Sequence, residues 1–258
     1  MLTEVKGLVL RTTDINESDR MITLYTDKMG IVSALAKGSR SLKSRKMSST
    51  QQFCYSTFVL FGQGDKYWIR ESALIENFFG LRESIERLAL GAYIVDVISA
   101  VGTAEGDSDI LRLTLNSLYA AATGKCETDK IKAAFEIRLA AMLGFMPDVV
   151  ACHTCGTGDG DFFFDIMAGA IECSECHRRS ERMHTTLADE HESHIIAILP
   201  SGAKVALGYC IYSPLEKLFS FNVGAEDMSL FVKASELYLL NHLERGFKTL
   251  DFYNEVTR

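Results

Sequence analysis

Apolar and polar positions alternate with a period of two over the first third of the chain, then shift to helical spacing. Glu4–Thr12, Arg20–Thr26 and Ile31–Ala36 read as three strands, rich in β-branched and apolar residues. Asp14-Ile15-Asn16-Glu17 supplies turn chemistry after the first, and Asp27-Lys28-Met29-Gly30 a tight loop after the second. After a longer polar interruption, Gln52–Phe61 and Lys66–Ala73 form a second hairpin around Gly62-Gln63-Gly64-Asp65. Five short strands with the long break between the third and fourth are the inventory of a small Greek-key barrel, the OB-fold; an SH3-like barrel is the alternative. Phe58 and Phe61 are assigned to the core, whereas Tyr67 and Trp68 cannot both point inward, so one of them offers a stacking face.

Leu81, Ile85, Leu88, Ala92, Val95 and Ile98 fall on one helical face, and Ser108–Ala122 repeats the pattern. Thr128-Asp129 caps a third helix running to about Leu143, stopped by Gly144 with Pro147 beyond. Further helices are predicted over Leu187–Leu199 and Met228–Arg245.

The most specific signal is Cys152-x2-Cys155-x17-Cys173-x2-Cys176. Each CxxC folds into a knuckle whose two thiolates reach one ion, and two knuckles complete a tetrahedron around Zn²⁺. Gly156, Gly158 and Gly160 let the first knuckle turn, and Asp161–Asp165 pairs with Ala170–Cys173 across Gly169 as a ribbon. Such a site is closed, so its role is structural. His177, Arg178, Arg179 and Arg182 stand close enough in sequence to offset its negative charge. Cys54, Cys126 and Cys210 stand alone and read as ordinary core or surface thiols.

The formal net charge of −7 gives no hint of a polyanionic partner, but its distribution does. Residues 1–75 carry eleven Lys and Arg against seven Asp and Glu, a net of +4, which leaves −11 for the remainder. The excess concentrates in the break between the third and fourth strands, where Lys37, Arg40, Lys43, Arg45 and Lys46 are separated by small residues. This spacing suits tracking of a phosphate backbone, with main-chain N–H groups and serine hydroxyls accessible beside the cations. His191-Glu192-Ser193-His194 lacks the spacing of a zinc-protease helix, and no P-loop, dinucleotide fingerprint or deaminase pattern is present. No apolar run reaches the ~18 residues of a membrane span, and the first residues do not read as a signal peptide, so a cytoplasmic protein is expected.

Taken in order, these segments resemble the bacterial RecO family of recombination mediators over essentially the whole chain. The resemblance runs through Glu4–Gly30, Lys37-Gly38-Ser39-Arg40 with Lys43-Ser44-Arg45, Phe135–Leu139 with Leu143-Gly144-Phe145, Ser213–Leu218 and Lys248-Thr249-Leu250. It implies a multi-domain α+β protein with an N-terminal OB-fold β-barrel (1–78), a helical domain in two parts (79–147 and 184–258) and an inserted four-cysteine zinc ribbon (148–183). It implies no enzymatic turnover and a nucleoid-associated place in the cell. It further implies binding of single- and double-stranded DNA, annealing of complementary strands, and contact with the acidic C-terminal tail of single-stranded DNA-binding protein. With RecR, members help to load RecA. The tail pocket is expected on the helix around Phe135, with Lys130, Lys132 and Arg138 as its cations. The residues themselves also admit a zinc-ribbon RNA-binding factor of transcription or translation, and more remotely a metallohydrolase built on His191 and His194.

Overall fold

The structure, a computed structural model, describes residues 2–63, 66–102, 105–184 and 195–258. Five strands come first: β1 (Leu2–Asp14), β2 (Arg20–Thr26), β3 (Gly30–Ala36), β4 (Tyr55–Gln63) and β5 (Lys66–Glu76). They close in the order β1-β2-β3-β5-β4, with β4 returning to β1 and with β3 and β5 parallel. That is the five-stranded Greek-key closure of the OB-fold, and it excludes the SH3-like alternative.

Closure depends on β1, whose first half pairs with β4 and whose second half pairs with β2. Gly7 sits where both partners meet it, and a Cβ there would lie 3.2 Å from Thr26 Cγ2. An extra residue at Leu10 breaks the β1–β2 register, so Leu8, Val9 and Leu10 are all buried and β1 feeds apolar side chains to both of its faces. Val5, Val9, Ile22, Leu24, Val32, Phe58, Leu60 and Ile69 fill the barrel interior.

By compact units the chain divides into residues 1–125 with 247–258, and residues 126–246, which are limits other than the four expected segments. In the first unit the barrel is joined by α1 (Ile85–Val101), α2 (Ser108–Thr123) and the terminal helix α7 (Lys248–Val256). Ser84 and Asp107 cap α1 and α2 through their side chains. Asp96 on α1 accepts a 2.8 Å hydrogen bond from Thr249 Oγ1, and Phe247 packs edge-on against Tyr93, which fastens α7 to α1. Sequence periodicity missed α7.

The second unit contains α3 (Thr128–Met142), a sheet of β6 (Phe162–Asp165), β7 (Ala170–Cys173) and β8 (Ile196–Leu199), and the helices α4 (Ser174–His184), α5 (Ser201–Tyr212) and α6 (Ala225–Leu243). The expected ribbon is present, with Gly169 at φ +66 in its turn. The helix expected over Leu187–Leu199 is not borne out at its end. Residues 185–194 lie outside the described residues, and Ile196–Leu199 is a strand on the free side of β6. Its exposed–buried alternation is the period of a strand, and Pro200 marks the start of a separate helix, α5, which the hydrophobic pattern did not reveal. Phe162, Phe164, Ile171, Ala197 and Leu199 form the buried face of this sheet, and Tyr238 of α6 packs on Phe164.

Candidate functional site

The segment between β3 and β4 is cationic, as expected, but it is not an open loop. Successive turns link Ser41 to Gly38, Ser44 to Ser41 and Met47 to Ser44 through main-chain hydrogen bonds. Ser39 is buried, and Thr50 and Ser49 donate back to the Lys46 carbonyl. The main-chain N–H groups of Gly38, Ser41, Ser44 and Met47 are therefore spent on folding the segment rather than presented to a ligand.

Two of its five cations fasten it to the barrel. Arg40 pairs with Asp14 at 3.3 Å and donates to the Asn16 carbonyl, and Lys46 Nζ donates to the Ile69 carbonyl at 2.7 Å. Asp14 also holds Arg20 at 2.9 Å, and that hydrogen bond, with the charge of Arg40 beside it, keeps its carboxyl below the usual carboxylate range. Asp19 is lowered likewise by the Gly38 N–H, which ties the segment to the β1–β2 turn. Lys37, Lys43 and Arg45 are exposed.

Beside this segment the outer barrel surface carries an apolar row that the sequence pattern did not reveal. Leu35, Trp68, Phe61 and Leu2 are successive cross-strand partners on β3, β5, β4 and β1. Phe61 is 53% exposed rather than in the core, because positions 58 and 61 differ in parity and Phe58 takes the inner face. Tyr67 packs against the interior, which sends Trp68 outward. An extra residue at Arg70 in the β4–β5 register lets Ile69 and Ser72 both face inward, and Arg70, two residues beyond Trp68, shares its outward face by strand alternation. Lys37, Phe61, Trp68, Ile69 and Arg70 line a groove of about 450 Å³.

In the second unit, Cys152, Cys155, Cys173 and Cys176 place their sulfurs within 4.8 Å of one another. Cys155 and Cys173 are 3.7 Å apart, close to the ~3.8 Å edge of a tetrahedron with 2.3 Å metal–sulfur bonds and far beyond a disulfide. The first knuckle is built by Gly156 N–H donating to the Cys152 carbonyl, with Gly156 and Gly160 at positive φ. Burial raises the Cys152 thiol, but N–H donors from Cys173, Cys155 and Thr154 outweigh it and bring the group down to about 6. Cys176 is pushed up to about 12 by burial and by the thiols around it. Crowded thiols therefore resist ionising together unless a cation joins them, and the donor set fits a thiophilic ion. His177 stacks on Phe163 and pairs with Glu172, whereas Arg178 and Arg179 pair with Glu175. The Arg182 side chain and His191–His194 lie outside the described residues.

The three cations expected on α3 are not equivalent. Lys132 is not a surface residue: it is 1% exposed and bridges Glu136 at 3.1 Å and Glu236 of α6 at 2.7 Å. Arg138 donates to the carbonyls of Cys210 and Ser213 and so secures the end of α5. Lys130 bonds the Phe221 carbonyl and lies 4.7 Å from the centre of the Phe221 ring. Phe135 is fully buried.

Comparison with known proteins accounts for both units. The model of the recombination protein O N-terminal domain matches residues 1–78, and that of its C-terminal domain matches residues 82–251. The chain belongs to the RecO family. DNA repair protein RecO of Acetivibrio thermocellus is 33% identical over 257 residues, covering 99% of this chain and 97% of that protein. DNA repair protein RecO of Alkaliphilus metalliredigens is 29% identical, covering 99% and 100%, and that of Listeria monocytogenes 25% identical, covering 98% and 94%. This RecO-family chain is thus a DNA repair protein with an OB-fold barrel and a four-cysteine site suited to a metal ion. Among the described residues, no helix is long and apolar enough to cross a membrane.

Two outcomes follow from this geometry. The purified protein should carry one metal ion per chain by elemental analysis, Cys173→Ser should abolish it, and Cys126→Ser should leave it in place. Lys132→Ala should cost about 3–5 kcal/mol in urea unfolding, because Glu136 is left charged in the interior. Burial pulls the Lys132 ammonium down, but Glu136 and Glu236 outweigh it and raise its pKa above 10.5. The ion-pair stabilisation is therefore whole below pH 10.5 and lost as pH climbs through the raised value. The variant's deficit should shrink over that same range.

Proposed function

We propose that this chain is a DNA-binding recombination mediator without catalytic turnover. In this reading it anneals complementary strands, engages single-stranded DNA-binding protein and, with RecR, helps load RecA onto coated single strands. The observation that carries the reading is the end-to-end match to proteins named DNA repair protein RecO. The cationic segment across the end of the barrel supports it, since phosphate contacts need exposed Lys and Arg and no base-specific geometry.

Within that segment Lys37, Lys43 and Arg45 are the phosphate contacts, while Arg40 and Lys46 hold the platform they stand on. Zn²⁺ is the ion for the four cysteines. It would stabilise the small ribbon, whose own core is too slight to fold unaided. An acidic protein tail would be met by Lys130 and Arg138, both half-buried beside aromatic or carbonyl groups, and not by Lys132. A soluble place at the nucleoid follows from the DNA-binding reading. The segments 1–78, 79–147, 148–183 and 184–258 remain useful as functional divisions.

The test is annealing of complementary strands precoated with the cognate single-stranded DNA-binding protein, which the wild-type chain should accelerate. Failure to bind DNA, or tighter binding to RNA, would favour the RNA-factor reading. Replacing Lys37, Lys43 and Arg45 together with Ala should flatten the log–log salt dependence of single-strand binding by about 2, at ~0.7 per phosphate. The loss should be equal for all sequences.

A further inference from the structure

We propose that the groove beside the cationic segment is a base-stacking subsite in which unpaired bases of single-stranded DNA lie against Trp68 and Phe61 while Lys37 and Arg70 meet the adjoining phosphates. This rests on the DNA-binding reading and identifies the part of the barrel that separates single strands from duplex.

Four features converge on that occupant. Phe61 and Trp68 are direct cross-strand partners, with ring centroids 6.2 Å apart and planes tilted by 40°, and both are substantially exposed. With Leu2 and Leu35 they make a continuous apolar row on the barrel's outer wall. A surface row of this kind usually marks a place where something docks. Second, cations border the rings. Lys37 follows Leu35 at the end of β3 and Arg70 follows Trp68 on the parallel β5, so both extend the row in the same direction along the barrel. Third, Lys37 belongs both to the groove and to the cationic segment, so the two surfaces share a cation. Fourth, the groove's border is fixed: Lys46 pins the cationic segment to the carbonyl of Ile69, itself a lining residue.

An aromatic face flanked by cations matches a polymer that alternates planar bases and phosphates, and stacking tolerates any base. Duplex DNA hides its base faces inside the stack, so it can use the cations but not the rings. Glu71 reaches Arg70 only at 3.8 Å on an exposed surface, a contact that a phosphate displaces readily.

Trp68 is the sole tryptophan, so the tryptophan emission of the unmodified protein, excited selectively over its tyrosines, reports on the groove alone. Titration with an oligothymidylate of about 16 nucleotides should quench it saturably. A duplex of equal length and inorganic polyphosphate should bind without quenching. Trp68→Ala and Phe61→Ala, both surface changes, should each weaken binding of a labelled single strand about ten-fold and leave duplex binding unchanged. Single-strand binding without quenching, or undiminished in Trp68→Ala, overturns the stacking site while the cationic segment keeps its role. Quenching by polyphosphate overturns it too, and stronger quenching by oligouridylate than by oligothymidylate overturns DNA as the occupant. Absence of binding to any DNA would instead defeat the underlying reading.

Discussion

The pairing of β3 with β5 is the constraint from which the barrel and its cationic surface follow. Parallel strands cannot be joined by a tight turn. The chain leaving β3 must therefore travel across the end of the barrel, lay down β4 against β1, and return as β5 beside β3. The cationic segment occupies this crossing, and its end is sewn to the β5 main chain by Lys46. The same pairing places Leu35 against Trp68, and the cations Lys37 and Arg70 follow them along the chain. Barrel closure and a composite aromatic–cationic surface are two consequences of one hydrogen-bonding pattern.

The second unit is organised around buried and half-buried charge. Lys132 joins α3 to α6 through Glu136 and Glu236, and Arg138 joins α3 to the end of α5 through main-chain carbonyls. Lys132, expected at a ligand surface, is therefore part of the packing. The four thiols pose the converse problem: they crowd one another so that their neighbours oppose joint ionisation, and only a bound cation relieves all of them together. Both devices stabilise a unit whose sheet has just three short strands.

These two units bear differently on the proposed mediator role. The first offers a cationic face without base-specific geometry, which is what the proposed annealing of arbitrary complements would require. The second offers packed helices and a ribbon whose four cysteines suit a metal ion, a scaffold of the kind the proposed protein contacts would need.

By itself the sequence determined what depends on local period and covalent spacing. The five strands and the first three helices were legible because alternation and helical spacing are properties of consecutive residues. The metal site was legible because two residues between cysteines suffice to fold each knuckle. Only the tertiary structure decided what depends on partners distant in the chain. Lys132 was hidden by Glu236 on another helix, a pairing that no local pattern encodes. Ile196–Leu199 is too short to declare its period and became a strand because β6 had a free side. Phe61 went to the surface because Phe58 took the interior, and Ile69 and Ser72 share the inner face because one extra residue interrupts the β4–β5 register. The aromatic–cationic groove exists because β3, β4 and β5 bring distant residues side by side, and adjacency across strands is a product of folding rather than of order along the chain.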